Sequence, residues 1–230
     1  MKDPLKIRVV CASRQPKETF LTATALGRSL ALCRFPFVEV RLFDSNTKGL
    51  PTVYNTAIQE ALNNPAVLLF VHDDVYLCDF YWPGQVIDGL AAFDVIGLAG
   101  NKRRVSRQPA WSYIDENFTW DKPENLSGVV GHGQGFPPRV LSVFGPTRQA
   151  VKLLDGLLLA ADSRTLHGSQ VRFDERFQFH FYDMDFCRQA ERAGLRMGTW
   201  SISAVHESGG NFASEGWRQG YAAYLEKWTE

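Results

Sequence analysis

The first hundred residues alternate between two hydrophobic patterns. Short apolar runs bounded by polar residues predict β-strands, whereas longer stretches with apolar residues three or four positions apart predict helices. The predicted strands cover residues 6–13, 37–44, 66–71 and 93–100, and the predicted helices cover residues 17–34 and 50–64. Because strands and helices alternate, we expect an α/β fold with a mostly parallel central sheet flanked by helices.

The second half of the chain is less regular. Residues 101–139 are rich in glycine, proline and aromatic residues, and they predict a long loop or an insertion. The pattern then predicts a strand at 139–145, helices at 146–161 and 183–194, and a strand at 197–207. No linker or internal repeat interrupts these elements, so the sequence predicts a single domain over residues 1–230.

Composition narrows the class of protein. The 230 residues are 45% hydrophobic, which is enough for a large core, and 25 basic residues balance 25 acidic ones. Without a net charge to attract it, nucleic acid is not expected as a partner. No apolar run reaches the roughly 18 residues of a transmembrane helix. The first ten residues lack the apolar core of a signal peptide, and the four cysteines lack CxxC spacing, so we expect a cytoplasmic protein with reduced thiols.

Polar residues follow three of the predicted strands at the point where each strand ends. They are Ser13 and Arg14 after the first strand, Asp44 after the second, and His72, Asp73 and Asp74 after the third. In parallel sheets, ligands bind beyond the carboxyl ends of the strands. We therefore expect these side chains to meet in one crevice.

The adjacent carboxylates of Asp73 and Asp74 need a partner. They repel each other, and burying both is costly unless a cation or water is near. Carboxylate oxygens suit a hard divalent cation. In the alternative, the two residues form a solvated turn and accept hydrogen bonds from backbone amides. The local sequence favours neither alternative, but the three converging strand ends favour a metal site.

Three residues in the second half of the chain could complete such a site. Asp183 is either the N-cap of the predicted helix or a general base at the mouth of the crevice. Asp185, in the first turn, complements the helix dipole in the structural alternative. His206 follows an apolar strand and precedes a Ser-Gly-Gly sequence, and it is either structural or a metal ligand.

Aromatic residues crowd the irregular segment. Trp111, Tyr113, Phe118 and Trp120 lie within ten consecutive positions. They either anchor a long loop or form a platform on which sugar rings stack, since aromatic faces bury apolar C–H surfaces well. The nearby sequence GHGQG (131–135) matches no phosphate-binding motif, and a flexible loop is expected there.

Three signals, in chain order, resemble a known family. An apolar strand leads into His-Asp-Asp (72–74), a Tyr-Asp-x-Asp-Phe-Cys cluster follows (182–187), and a strand ends in Val-His (205–206). This order resembles the family-two glycosyltransferases with a GT-A fold, and it is most similar to the bacterial branch whose metal motif reads His-x-Asp-Val. The sequence NTKGLPTVYNTAIQEAL (46–62) strengthens the likeness, which covers residues 6–210.

The resemblance implies a role for each candidate residue. Asp74 matches the direct ligand of Mn²⁺ or Mg²⁺ that bridges the donor diphosphate, and His206 matches a late histidine that completes this site. Asp183 matches the base that deprotonates the acceptor hydroxyl. Because Tyr182 stands where the family usually has Glu, Asp185 is the fallback for this role. The implied donor-binding residues are Ser13, Arg14, Asp44, His72 and Asp73.

The resemblance also implies an activity, that of an inverting, metal-dependent glycosyltransferase of the hexosyltransferase type. It would bind a nucleoside-diphosphate sugar, UDP-linked, with residues 1–100, and a hydroxyl acceptor with residues 101–230. Glycan, lipid-linked and protein acceptors all remain open, as does a peripheral contact with a membrane, and the expected setting is surface glycan or polysaccharide synthesis. The chain lacks the Gln-x-x-Arg-Trp motif of processive synthases, which favours transfer of a single sugar.

Two alternative functions remain. A module that binds sugar nucleotides or glycans without catalysis would explain Tyr182 and the short chain. A sugar-phosphate nucleotidyltransferase shares the sheet and the metal chemistry, but the glycine-rich phosphate loop usual in that class does not follow VVCAS (9–13).

Overall fold

The computed structural model describes residues 6–209 and 212–229. Gly210, the last residue of the Ser-Gly-Gly sequence that follows the 197–207 strand, lies outside the described residues. The strands are β1 (Ile7–Ala12), β2 (Val38–Phe43), β3 (Val67–Val71), β4 (Val75–Leu77), β5 (Val95–Gly97), β6 (Ala99–Asn101), β7 (Leu126–His132), β8 (Val140–Gly145), β9 (Leu153–Leu154), β10 (Leu158–Asp162), β11 (Met197–Thr199) and β12 (Ala204–His206). The helices are α1 (Lys17–Ala23), α2 (Ala25–Leu32), α3 (Leu50–Glu60), α4 (Trp82–Ala92), α5 (Ser163–Gly168), α6 (Tyr182–Arg192) and α7 (Glu215–Trp228), with a short 3-10 helix at Pro123–Asn125.

The central sheet confirms the predicted α/β fold. Its strand order is β11-β5-β10-β3-β1-β2. Five of the six strands run in one direction, whereas β10 runs antiparallel to its neighbours β3 and β5. Every residue of β3 is buried, as expected for an inner strand covered on both faces. The predicted strands at 6–13, 37–44 and 66–71 are β1, β2 and β3, and the helix predicted at 50–64 is α3.

A second sheet lies beside the central one, with the order β4-β12-β7-β6-β9 and with β8 paired to β7. The chain passes from the central sheet to the second sheet between β3 and β4, between β5 and β6, and between β11 and β12. The strands predicted at 93–100 and 197–207 are therefore each split in two. Residues 72–74 fill the first of these junctions, and His206 pairs with Val75 just beyond it. The junction between the sheets thus brings distant parts of the chain together.

The prediction of a helix at 146–161 is wrong. This stretch contains β9 and β10, and β10 pairs with β3 on one side and with β5 on the other. A continuous apolar run such as LLLAA (157–161) does not show by its pattern whether it is a buried strand or a buried helix. Gly156, just before this run, lies against Tyr182, where an added Cβ would be 2.3 Å from the hydroxyl oxygen.

The helix predicted at 17–34 is two helices. Thr24 has an extended backbone (φ −108°, ψ 152°), ends α1, and caps α2 by accepting a hydrogen bond from Gly27 N. A Cβ at Gly27 would lie 2.0 Å from the Phe20 carbonyl oxygen, so the close approach of the two helices requires glycine. Residues 101–139 are also more regular than predicted, since β7 lies among them. The pattern predicts no element where α4 and α7 lie.

Candidate active site

Three side chains that the sequence predicts to bind the donor or a metal meet at the junction of the two sheets. His72 follows β3, Asp74 precedes β4, and His206 ends β12. One possible ligand atom from each residue lies within 4.8 Å of those of the other two. His206 Nε2 is 3.3 Å from Asp74 Oδ2. We call His72, Asp74 and His206 the metal group, and among the described residues no other group of His, Cys, Asp or Glu meets this distance.

A buried chain of hydrogen bonds determines which nitrogen of His72 can bind an ion. The Tyr182 hydroxyl donates to the Gly156 carbonyl oxygen at 2.7 Å, so it accepts from His72 Nε2–H at 2.8 Å. The lone pair of His72 therefore lies on Nδ1. Burial lowers the pKa of His72 by more than the nearby carboxylates raise it, which keeps the ring neutral. A neutral imidazole with its other nitrogen held by a fixed partner is the usual state of a metal ligand.

The charge of Asp74 is maintained by its neighbours. Burial alone would raise the pKa of Asp74, but the hydrogen bond and charge of His206, together with a 2.5 Å hydrogen bond from Ser208 Oγ, lower it well below its ordinary value. Burial in turn lowers the pKa of His206, and Asp74 raises it by more. Asp74 is therefore ionised at neutral pH, as a metal ligand must be.

The other carboxylate oxygen of Asp74 suggests what the site holds. Asp74 Oδ1 is buried, and no hydrogen bond reaches it from the described residues. A buried oxygen of a charged group is costly to leave unpaired, and a bound cation would remove that cost. Two imidazoles and one carboxylate suit a first-row transition ion better than Mg²⁺, which prefers oxygen ligands. The metal group therefore fits an ion such as Mn²⁺.

The carboxyl ends of β1 and β2 lie beside the metal group. Ser13 Oγ donates to Asp73 Oδ2 at 2.6 Å, so Asp73 is held by the end of β1 and is not one of the three clustered residues. Asn46 N donates to Ser13 O at 2.8 Å, which joins the segments that follow the two strands. Arg14 and Asp44 are exposed at this edge, and the structure does not bring them into the metal group.

Asp183 lies in the first turn of α6, directly after the tyrosine that holds His72. Gly156 N donates to Asp183 Oδ2 at 3.0 Å, and Met184 N donates to Oδ1 at 2.8 Å. Burial and then the charge of Asp155 raise the pKa of Asp183 to about 7. A carboxylate with a pKa near neutrality is well suited to accept a proton at physiological pH.

Asp185 lies on a different face of α6. Its carboxylate is fully buried and accepts hydrogen bonds from Lys227 Nζ at 2.6 Å, Trp228 Nε1 at 3.0 Å and Gln189 Nε2 at 2.6 Å. Residues two positions apart on an α-helix point in directions about 200° apart, so Asp183 and Asp185 have different surroundings. Asp183 contacts Gly156 beside Tyr182, whereas Asp185 contacts α7.

Sequence patterns do not reveal two residues that lie beside the metal group. Asp155, between β9 and β10, lies near enough for its charge to act on His206 and Asp183, and it accepts a 2.8 Å hydrogen bond from Trp111 Nε1. His132 ends β7 in register with His206, and their ring centroids are 6.2 Å apart. Asp155 falls in the wrongly predicted helix and His132 in the expected flexible loop. Only the pairing of β7 with β12 would have indicated His132.

The aromatic residues of segment 101–139 show one of the two expected roles, that of anchoring the segment, and the sugar platform stays a prediction. Tyr113, Phe118, Trp120 and Phe212 contact one another, with ring centroids 5.0 to 5.5 Å apart. Phe118 also packs on Trp217 of α7 at 5.4 Å, so it anchors the segment. Trp120 remains 52% exposed, which leaves part of its ring open to a ligand.

Superposition on solved structures places this chain in a class of fold, the GT-A fold of glycosyltransferases. A fragment of S. aureus TarS superposes with a TM-score of 0.50 at 15% identity, over 88% of this chain and 60% of the TarS fragment. GalNAc-T7, solved with UDP, GalNAc and Mn²⁺, superposes with a TM-score of 0.57 at 12% identity, over 98% of this chain and 48% of its own. The TarS fragment in complex with UDP-GlcNAc gives a TM-score of 0.51 at 15% identity, over 91% of this chain and 61% of the fragment.

These likenesses concern the fold. This chain spans 60% of the TarS fragment and about half of the solved GalNAc-T7 chain, 48%. No protein-family profile matches the sequence, and no curated protein matches it. Among the described residues, no helix combines the length and the apolar character needed to cross a membrane.

Proposed function

We propose that this protein is an inverting, metal-dependent glycosyltransferase that moves one sugar from a nucleoside-diphosphate sugar to a hydroxyl acceptor. The observation that carries the proposal is the placement of Asp183, with a pKa of about 7, directly after the tyrosine that holds His72 of the metal group. Transfer from a diphosphate to a hydroxyl needs both features, since one part of the site must balance negative charge and another must accept a proton.

The solved structures with similar folds support the choice of donor and metal. GalNAc-T7 was solved with UDP, GalNAc and Mn²⁺, and the TarS fragment was solved with UDP-GlcNAc. We propose a UDP-linked hexose as the donor here and Mn²⁺ as the preferred ion. The two imidazoles in the metal group support Mn²⁺ over Mg²⁺ on chemical grounds.

The metal group would hold the ion through His72 Nδ1, Asp74 and His206. When bound, the ion stabilises the negative charge that develops on the departing diphosphate. Ser13 and Asp73, linked at 2.6 Å, lie at the ends of β1 and β3, where a parallel sheet binds its ligands. We propose that they contact the nucleotide, together with Arg14 and Asp44 at the same edge.

Asp183 would perform the proton transfer. Its carboxylate accepts the proton of the acceptor hydroxyl while the acceptor oxygen attacks the anomeric carbon. The bond from that carbon to the diphosphate oxygen breaks, and its electron pair leaves with the diphosphate. Because attack and departure occur on opposite faces of the carbon, the configuration is inverted. Burial and the charge of Asp155 hold the pKa of Asp183 near the operating pH.

The proposal is tested by measuring UDP release from a panel of UDP-sugars with Mn²⁺, with Mg²⁺ and with a chelator. We expect release with Mn²⁺, less with Mg²⁺ and none with the chelator. Asp74→Asn should abolish it, whereas Asp88→Asn, at an exposed position of α4, is the matched control and should behave as wild type. Metal-dependent turnover that survives in Asp74→Asn would exclude the proposal.

One observation favours a second candidate, a sugar-nucleotide-binding module without catalysis. Tyr182 stands where the resembled family usually has Glu. It is buried, and its hydroxyl is hydrogen-bonded to His72 and to the Gly156 carbonyl. Such a module would bind UDP in the presence of Mn²⁺ and release no UDP from any donor with any acceptor. A nucleotidyltransferase would instead release pyrophosphate from a nucleoside triphosphate.

A further inference from the structure

Phe181, the residue before the first turn of α6, has a left-handed backbone conformation with φ 65° and ψ 0°. A bulky residue rarely adopts this conformation, which persists only where the surroundings fix it. Phe181 is buried, with 4% of its surface exposed. The next two residues are Tyr182, which holds His72, and Asp183. The directions of both side chains therefore depend on the backbone angles at Phe181.

Helix α7 provides the surroundings that fix Phe181. The Phe181 ring packs against the rings of Trp217, Tyr221 and Tyr224, with centroid distances of 5.4, 5.5 and 5.5 Å. Gly220 allows the close approach, since a Cβ there would lie 3.1 Å from the Phe181 ring. We call Trp217, Tyr221 and Tyr224 the aromatic clamp, and all three are buried.

The same helix also makes polar contacts with the first turn of α6. Lys227 and Trp228, near the end of α7, contact the buried carboxylate of Asp185 at 2.6 and 3.0 Å. The contacts of α7 therefore flank the two residues of α6 that reach the site, with Phe181 before them and Asp185 after them. Asp185 and Phe181 are further joined by a 2.9 Å backbone hydrogen bond from Asp185 N.

We propose that α7 is a positioning element for the metal group. The aromatic clamp holds Phe181 in the left-handed conformation, which orients Tyr182, and the Tyr182 hydroxyl fixes His72 for metal binding. When the clamp is loosened, Phe181 returns to an ordinary conformation, the first turn of α6 shifts, and the hydrogen bond between Tyr182 and His72 is lost. This inference rests on the metal site of the proposed function, and Phe181 and Tyr182 act in it as positioning residues.

The experiment measures Mn²⁺ binding to the whole chain by titration calorimetry, without a sugar nucleotide. Loss of a group that orients a metal-binding histidine weakens binding by about 10- to 100-fold. We expect a weakening of about tenfold for Trp217→Ala, and binding close to wild type for Trp217→Phe, which restores an aromatic ring. Arg218→Ala, at the exposed neighbouring position of α7, is the matched control. Thermal melting identifies any variant that does not fold.

A double-mutant cycle separates positioning from a general loss of stability. Tyr182→Phe removes the hydroxyl that holds His72 and should itself weaken Mn²⁺ binding. If the clamp acts through this hydroxyl, Trp217→Ala will weaken binding little further when Tyr182→Phe is already present. In nitrogen NMR spectra, the proton on His72 Nε2 should be protected from exchange with water in wild type and should exchange rapidly in Trp217→Ala. If Trp217→Ala does not fold, Tyr221→Leu replaces it in the cycle, since leucine keeps apolar bulk without the ring.

The outcomes distinguish this inference from the proposed function. Wild type that does not bind Mn²⁺ would overturn the metal site and the proposed function with it. Wild type that binds Mn²⁺, with equal affinity in Trp217→Ala, would overturn the role of the clamp alone. Additive effects in the double-mutant cycle would also overturn it, because the clamp would then act by a route other than Tyr182.

Discussion

The junction between β3 and β4 and the first turn of α6 each present a carboxylate to the same site, but with opposite shifts in pKa. Burial penalises the charge of both Asp74 and Asp183. Asp74 has His206 and Ser208 as partners, so its pKa falls below its ordinary value. For Asp183, burial and then the like charge of Asp155 raise the pKa by more than the backbone amides lower it, so it rises to about 7. Burial is common to both residues, so the partners of each buried acid decide the direction in which its pKa moves.

Among the substitutions that leave the metal group intact, the largest effect is expected for Asp183→Asn. Removing a general base lowers the rate by about 10²- to 10⁴-fold, and we expect this loss in kcat for sugar transfer. Because Asp183 is outside the metal group, the Kd for Mn²⁺ should stay within about twofold of wild type. A variant that keeps its rate, or that loses Mn²⁺ binding to the same extent as its rate, would contradict the division between the two carboxylates.

The kcat for sugar transfer should depend on pH in the same way as the deprotonation of Asp183. Asp183 must be deprotonated to accept a proton, so kcat should rise about tenfold from pH 6 to pH 8 around the pKa of about 7. Asp155→Asn removes the like charge that contributes to this raised pKa, so the midpoint of the profile should move to lower pH. The measurement is kcat against pH at saturating donor and Mn²⁺. A midpoint that is unchanged in Asp155→Asn would assign the profile to another group.

The smallest effect on activity is expected for Asp185→Asn. The carboxylate of Asp185 is buried against Lys227, which also contacts Asp174 at 2.7 Å. Weakening this contact should lower the free energy of unfolding by about 2 kcal/mol, measured by urea denaturation. The pH profile of kcat should not move, because Asp185 faces α7. Glu226→Gln, at an exposed position of α7, is the control for charge removal. If the pH profile of kcat shifted in Asp185→Asn, Asp185 rather than Asp183 would be identified as the base.

The sequence predicts the part of the fold in which local pattern and final environment agree. The β3 strand is five apolar residues, all buried, and it is followed by polar residues that do lie at the edge of a site. The β10 strand could not be predicted in this way, because the run at 157–161 is apolar throughout and would be buried equally well as a helix. Only its pairing with β3 and β5 determines that it is a strand.

Local sequence pattern also predicts only part of the candidate site. His72, Asp74 and His206 follow apolar runs, so the sequence indicates them, and the structure brings them together. Asp155 and His132 depend on which strands become neighbours, which no local signal encodes. The separation of Asp183 from Asp185 follows from helix geometry, since positions two apart point in different directions. Their assignment to the site and to α7 required the structure.

The most direct test of the metal group is a titration of Mn²⁺ into Asp74→Asn and Asp183→Asn in parallel with wild type. Asp74 supplies the only carboxylate among the three clustered residues, whereas Asp183 is proposed to act on the acceptor. We therefore expect Asp74→Asn to lose Mn²⁺ binding and Asp183→Asn to keep it. Wild-type affinity for Mn²⁺ in Asp74→Asn would contradict the metal site at the junction of the two sheets.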